Sequence, residues 1–258
     1  MRVFQQFATI DLLSHGRAEM VVGRGSFTEA FPLFGLDLQD YDSLFSSKLD
    51  LLLQVRDSAR VTWSGKHRPS LRDQPVYPRP YQNLLPIWIG VGGTPASFAR
   101  AGTLGLPLIV AMIGGETQHM RPGIDLYREA ARRPGHDPKK LPVGIHVFGY
   151  VAETDRQAAD EFFPGYVKTI ERMSGERGWS PPSRSQFEAM RGPSGALVIS
   201  DPERAAEKIV SIANTLGGIS RLTFQMSAAS LPHAKEMRAI ELLGARVAPL
   251  VRQTMASK

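Results

Sequence analysis

Short apolar runs alternate with longer amphipathic stretches along this chain. The apolar runs predict five strands, at residues 18–22, 86–91, 106–112, 143–151 and 221–226. The stretches with apolar residues at helical spacing predict helices at residues 3–13, 40–57, 94–104, 119–133, 154–172, 201–216 and 233–251. The strands lack polar alternation, which is typical of strands covered on both faces. This order predicts an α/β protein whose parallel strands are joined by right-handed crossovers.

Two architectures fit this order, an open doubly wound sheet and a (β/α)8 barrel. The five predicted strands are fewer than the eight of a full barrel, and the chain opens with a helix. Residues 60–82, rich in Arg, Pro and Tyr, predict a long loop, and residues 173–196, rich in Ser, Pro and Arg, predict an excursion. Apart from these two segments, the pattern predicts a single domain over residues 1–258.

Composition places the chain among ordinary globular proteins. It has 258 residues, of which 42% are hydrophobic and 22% are charged. The absence of cysteine excludes a disulfide scaffold, a thiolate nucleophile and cysteine-bound metal. The first residues form no secretory apolar region, and no run approaches the ~18 apolar residues of a spanning helix. We therefore expect a soluble cytoplasmic protein without a membrane segment.

The net charge of +6 and the pI near 9.7 raise the question of nucleic-acid binding. The basic residues are scattered as singles and short pairs, such as Arg132-Arg133, with acidic residues between them. Nucleic-acid binders usually carry a dense basic stripe. The distribution favours a solvated surface, so we expect a small-molecule partner and no nucleic acid.

The strongest local feature is a predicted strand that runs into Gly92 and Gly93. Thr94 can cap the helix that follows, Pro95 suits its first position, and Ser97 lies in its first turn. The glycines allow close approach of a ligand, and a helix start offers free N–H groups and a positive dipole end. This pattern favours a phosphate or carboxylate site over an ordinary tight turn.

Two further strand ends carry candidate ligand-binding residues. Arg24, between Gly23 and Gly25, follows the first predicted strand, where a guanidinium suits phosphate. Taken alone, it would be a surface arginine in a turn. Met226 ends the last predicted strand, where it could pack in the core or support a cofactor ring.

Other motifs compete weakly or are missing. Gly90-Val91-Gly92 begins a dinucleotide-binding GxGxxG, and Glu116 lies where a ribose-binding acid is expected, but Pro95 replaces the third glycine. A nicotinamide-dependent dehydrogenase therefore stays an alternative. The dispersed histidines predict no metal site, and His146 inside a strand is more often a hydrogen-bonded core residue than a catalyst. No catalytic acid–base pair is identified by spacing, as expected where a cofactor carries the chemistry.

The sequence resembles the luciferase-like flavin-dependent monooxygenases over essentially its whole length. The resemblance rests on residues 8–17 (ATIDLLSHGR), 21–25 (VVGRG), 86–95 (PIWIGVGGTP), 231–233 (LPH) and 244–250 (GARVAPL). It implies a (β/α)8 barrel that binds FMN at the carboxyl ends of its strands. Arg24 takes the place of the arginine that contacts the FMN phosphate, and Gly93, Thr94 and Ser97 match the rest of the phosphate cradle.

The resemblance also implies a reaction. In the family, reduced flavin, supplied in many members by a separate reductase, reacts with O2 and oxygenates a small organic substrate. Family members are longer at the N-terminus, and this chain begins in the helix before the fourth barrel strand. We therefore expect an incomplete barrel whose exposed edge strands favour a homo-oligomer. A truncated, non-catalytic flavin-binding protein of the same family is the alternative.

Overall fold

The computed structural model describes residues 1–25, 27–177 and 180–256. The chain divides into two compact units, residues 1–90 and residues 91–258.

The first unit packs helices against a short parallel ladder. Its elements are α1 (Arg2–Leu13), β1 (Met20–Val22), the one-turn helix α2 (Ala30–Leu33), α3 (Tyr41–Asp57), β2 (Arg60–Gly65), β3 (Arg68–Pro75) and β4 (Ile87–Val91). Val21 of β1 lies opposite Trp88 of β4. Phe4 and Ala8 of α1 pack with Val55 of α3 in one buried apolar cluster, as the helical spacing predicts.

Asp11 joins the end of α1 to the segments that lead into β1 and β4. Its carboxylate is fully buried and accepts bonds from the Ala18 backbone N–H at 3.1 Å and from the Gln82 backbone N–H at 2.9 Å. The Gln82 side-chain amide donates a third bond at 2.8 Å. Burial alone would raise the pKa of Asp11, but these hydrogen bonds outweigh it and lower the pKa.

The prediction of a long loop over residues 60–82 is wrong for its first part. β2 and β3 form an antiparallel hairpin in which Val61 lies opposite Gln74. Val61 and Trp63 point inward with a period of two, and the Trp63 indole donates to Asp50 of α3 at 2.7 Å. The many Arg and Pro residues of this stretch hide that alternation.

The second unit is built around the long strand β6. Its elements are α4 (Pro95–Thr103), β5 (Leu108–Met112), α5 (Arg121–Arg132), β6 (Val143–Val151), α6 (Asp155–Arg177), α7 (Arg184–Arg191), β7 (Val198–Ser200), α8 (Pro202–Thr215), β8 (Arg221–Gln225), α9 (His233–Leu242) and α10 (Ala248–Ala256). β5, β7 and β8 all pair with β6 in parallel. A π-helical turn (Leu243–Val247) interrupts the single helix predicted over residues 233–251.

The excursion predicted over residues 173–196 contains regular structure. It includes the end of α6 and the whole of α7, while residues 178 and 179 lie outside the described part of the chain. α7 begins with a capping box, in which Ser183 and Gln186 each bond the other's backbone N–H. That Ser-x-x-Gln pattern is a helix-start signal that the Ser, Pro and Arg content hid.

The parallel strands of the two units number six among the described residues, fewer than the eight of a closed (β/α)8 barrel.

The predicted start of α8 is confirmed, since the Asp201 carboxylate accepts from the Arg204 backbone N–H at 3.0 Å and Pro202 takes the first helical position.

Candidate cofactor site

Gly92, Gly93 and Thr94 form the turn that leads from β4 into α4. Gly93 has φ of +120°, a conformation that side chains other than glycine rarely adopt. Pro95 takes the first helical position, as predicted. The Thr94 hydroxyl does not cap the helix; its carbonyl accepts from the Ser97 backbone N–H at 2.9 Å. Residues 92–96 are exposed, so backbone N–H groups at this helix start are accessible to an anion.

A cavity of about 700 Å³ lies in the second unit and is lined partly by glycine backbone. Gly92, Gly114 and Gly115 line it, and no atom lies within 4 Å of the point that a Cβ on any of them would take. The remaining lining is largely apolar: Ala111, Ile113, Met120, Tyr166, Ile170, Ala189 and Met190. Its volume lies within the ~300–1,000 Å³ of small-molecule sites, and its lining suits a flat, mostly apolar ring.

The cavity lies at the carboxyl ends of strands, since Gly92 follows β4 and Gly114 and Gly115 follow β5. Parallel α/β proteins bind ligands at this edge because the loops there are free to vary without disturbing the sheet. The open space in front of the three glycines is where a bound group fits without displacing a side chain.

Lys208 of α8 fixes one wall of this cavity. Its ammonium donates to the carbonyl oxygens of Arg191 at 2.8 Å, Gly192 at 2.7 Å and Leu197 at 2.6 Å. The turn between these acceptors carries Ser194 and Gly195 into the cavity lining. Burial, and then the charge of Arg191, lower the pKa of Lys208 to about 8.

Two of the predicted site residues of this unit are at least partly buried. Ser97 exposes only 6% of its surface. Met226 packs against a buried aromatic cluster that includes Phe148 and Tyr166. Ile113 packs against the same cluster and lines the cavity. These contacts agree with the core-packing interpretation of Met226, and contact with a cofactor stays a prediction.

Arg24 lies in the first unit and has a partner that the sequence did not reveal. Its guanidinium donates to the Asp42 carboxylate at 2.6 Å and lies 5.0 Å from the centre of the Tyr41 ring. Tyr41 and Asp42 open α3, which the pattern predicted without linking it to Arg24. The other five predicted site residues belong to the second unit, so shared binding of one phosphate stays a prediction.

His146 is half-buried and hydrogen-bonded through both ring nitrogens, in agreement with the interpretation as a hydrogen-bonded structural residue. Its Nδ1 lies 2.8 Å from the Thr223 hydroxyl and its Nε2 lies 3.1 Å from Oε1 of Gln225. Sequence reasoning did not select Thr223 or Gln225, because their link to His146 runs between strands far apart in the chain.

Comparison with known proteins identifies relatives of this chain. The family described as "Luciferase-like monooxygenase" matches residues 1–218. The alkanal monooxygenase alpha chain of the Kryptophanaron alfredi symbiont is 25% identical over 161 residues, which is 61% of this chain and 43% of that relative. The chain therefore matches less than half the length of this curated relative.

Solved structures share the fold at low identity. Monooxygenase RslO1 from Streptomyces bottropensis superposes with a TM-score of 0.78 at 20% identity, covering 96% of this chain and 73% of that one. The oxygenating constituent of 3,6-diketocamphane monooxygenase from the CAM plasmid of Pseudomonas putida, in complex with FMN, gives 0.73 at 15% identity over 97% and 75% of the chains. An F420-dependent secondary alcohol dehydrogenase in complex with an F420-acetone adduct gives 0.71 at 19% identity over 97% and 74%. The prediction of an incomplete barrel of the (β/α)8 type is confirmed.

Within residues 1–25, 27–177 and 180–256, no helix has the length and apolar character needed to cross a membrane. The same residues contain no cluster of three or more His, Asp or Glu side chains that could hold a metal ion.

Proposed function

Since the chain belongs to the luciferase-like monooxygenase family, we propose that it is an FMN-dependent monooxygenase that acts on a small organic substrate. The observation that carries this proposal is the glycine-lined cavity at the carboxyl ends of β4 and β5, beside the start of α4. The camphane enzyme holds FMN, whereas the alcohol dehydrogenase uses F420. FMN is our choice because the alkanal relative and two of these structural neighbours are monooxygenases.

In this proposal the chain binds, orients and shields the cofactor. Backbone N–H groups of Gly93, Thr94 and Ala96 receive the phosphate, and Gly92, Gly114 and Gly115 leave room for the ring. The apolar wall keeps water away from the reacting centre. Reduced FMN, supplied by a separate reductase, provides the electrons for oxygenation by O2.

The ionisable residues of the cavity lining are few. Among the described residues that line it, the ionisable side chains are Glu116, which is exposed, and Tyr166. Burial raises the pKa of Tyr166 to about 12, so its hydroxyl stays protonated at neutral pH. This lining supports a role in binding and water exclusion and leaves the redox chemistry to the cofactor.

A fluorescence titration tests the proposal. FMN, riboflavin and F420 are titrated into the purified protein and into Gly92→Leu, which fills the open space of the cavity. Gly244→Leu is the matched control, because Gly244 also has no atom within 4 Å of its Cβ position and lies outside the cavity lining. We expect FMN to bind the unchanged chain and the Gly244→Leu variant, and to bind Gly92→Leu at least tenfold more weakly.

The alternative, a flavin-binding protein without catalysis, differs in oxygen use. With FMN, a reductase, NADH as the electron donor and an alkanal, the proposed monooxygenase consumes O2 in step with alkanal oxidation. FMN binding without this substrate-dependent consumption for any tested aldehyde or ketone would favour the alternative. Binding of F420 alone would reject FMN as the cofactor.

A further inference from the structure

His146, Thr223 and Gln225 form a connected polar group on one face of the second unit's sheet. Ala111 of β5 lies opposite His146 of β6, and His146 lies opposite Thr223 of β8. Residues in register on parallel strands point to the same face of the sheet. Ala111 lines the cavity, so the polar group lies on the sheet face that carries the cavity.

The hydrogen bonds orient the Gln225 carboxamide. Its Oε1 lies 3.1 Å from His146 Nε2, and because an amide oxygen can only accept, Nε2 is the donor. In a neutral imidazole His146 Nδ1 is then the acceptor for the Thr223 hydroxyl at 2.8 Å, which is shorter than that hydroxyl's 3.4 Å contact with the Ile145 carbonyl oxygen. The chain of bonds from Thr223 through His146 occupies the carboxamide oxygen of Gln225 and turns its NH2 group away from the imidazole.

The NH2 group of Gln225 lies on the cavity's face of the sheet, beyond the residues that line the cavity itself. Gln225 is the last residue of β8 and is half-buried, and within the described chain no hydrogen bond engages its amide nitrogen. It lies opposite Phe148, which is buried, and is followed by Met226, which packs in the same apolar cluster. A neutral acceptor suits these surroundings, because a carboxylate would be desolvated there without a cation to balance it.

We propose that Gln225, held by His146 and Thr223, is a preoriented donor for a neutral carbonyl oxygen of a ligand that reaches from the cavity along this face of the sheet. His146 and Thr223 act as positioning residues, since they fix which way the carboxamide points. Two sources share this carbonyl chemistry, the ring of the flavin and an aldehyde or ketone substrate. The inference rests on the proposed function, because both sources belong to that reaction.

Two binding arms separate the sources. Lumiflavin, which carries the flavin ring without the ribityl phosphate, is titrated by fluorescence into the unchanged protein and its variants. Octanal is titrated into FMN-loaded protein and followed by the change in the bound-flavin absorption spectrum. The variants are Gln225→Leu, which removes the amide, and Gln225→Glu, which keeps an acceptor for His146 Nε2 but loses the donors.

Loss of one neutral hydrogen bond weakens binding by roughly three- to tenfold. We expect this loss in at least one arm for both Gln225 variants, each first shown to be folded by a cooperative thermal unfolding transition. A loss for lumiflavin assigns the ring carbonyl, and a loss for octanal alone assigns the substrate. His146→Phe should give a smaller loss in the same arm, because the amide remains but turns freely.

The failures of the two proposals are distinguishable. If the unchanged protein binds neither FMN nor lumiflavin, the proposed function itself is wrong. If it binds them and both Gln225 variants match it for lumiflavin, with no weakening toward octanal, the role of Gln225 is overturned. Affinities of folded Gln225→Leu and Gln225→Glu that both equal those of the unchanged protein would leave the carboxamide as a structural bond to His146 only.

Discussion

The contact between Arg24 and Asp42 gives the sharpest test at the scale of single residues. If Arg24 binds the FMN phosphate, Arg24→Ala removes a charge-assisted bond that contributes about 1.5–3 kcal/mol. We expect its FMN dissociation constant to rise about tenfold to hundredfold, while riboflavin, which has no phosphate, binds as before. Equal FMN affinities would remove Arg24 from the site.

Asp42→Asn is the complementary change. The Asp42 carboxylate holds the Arg24 guanidinium at 2.6 Å and repels a phosphate that approaches the same group. We expect Asp42→Asn to bind FMN more tightly than the unchanged chain, with no change for riboflavin. Calorimetric titration of both ligands measures the difference, and weaker FMN binding would show that Asp42 orients Arg24 instead.

Asp11 gives a prediction about stability and pH. Asp11→Asn removes the charge from a carboxylate that accepts three hydrogen bonds, and it should lower the free energy of unfolding by about 2 kcal/mol at pH 7. Folding lowers the pKa of Asp11. The ionised carboxylate therefore adds to the free energy of unfolding above the ordinary aspartate pKa near 3.8. This stabilisation is lost as the pH falls through the lower pKa of Asp11 in the folded chain. Urea unfolding of both proteins between pH 7 and pH 3 should show the two curves converging. A difference that is independent of pH would contradict this.

At the scale of elements, Lys208 joins α8 to the turn after α7. Lys208→Met leaves the carbonyls of Arg191, Gly192 and Leu197 without this donor, so we expect lower stability at pH 7. The unfolded chain holds the Lys208 proton up to its ordinary pKa of 10.5 and the folded chain only to about 8. Between these values the unfolded state binds more protons, and the stability of the unchanged protein relative to Lys208→Met should rise with pH. Thermal unfolding from pH 7 to pH 10 measures this, and a constant difference would be the contrary result.

Element prediction succeeded where one kind of signal dominated. A long apolar run predicted β6, and a capping Asp predicted the start of α8. A Gly-Gly pair predicted the strand-to-helix turn at Gly92–Pro95. The structure contains all three features. The sequence analysis did not predict β7, because a strand of three residues is too short to show a hydrophobic period. The β2–β3 hairpin was predicted as a loop, because the Arg, Pro and Tyr content of residues 60–82 was given more weight than the alternation of buried and exposed residues in β2.

The sequence likewise indicated some residues of the candidate site and not others. Gly92 was selected from the sequence because a Gly-Gly pair after a strand marks a ligand-approach position, whereas Gly114 and Gly115, which also line the cavity, were not selected. The Asp42 partner of Arg24 and the bond between His146 and Gln225 depend on tertiary contacts across many residues. A single sequence contains no signal for such pairs.

At the scale of the whole molecule, the first unit carries an apolar surface that favours self-association. α1 exposes Val3, Ile10, Leu12 and Leu13, the last with 78% of its surface accessible. We expect the chain to elute as a homo-oligomer in size-exclusion chromatography with light scattering, and Ile10→Glu with Leu13→Glu to shift it toward the monomer. Leu126→Glu on α5 is the control, since Leu126 is an exposed leucine of the other unit. A monomeric unchanged chain would reject the expected homo-oligomer.

The most direct test of the whole account is a crystal structure of this chain grown with FMN. We expect electron density for the ring in the cavity in front of Gly92, Gly114 and Gly115, with the phosphate on the backbone N–H groups at the start of α4. Density for FMN at any other place, with this cavity filled only by solvent, would contradict it.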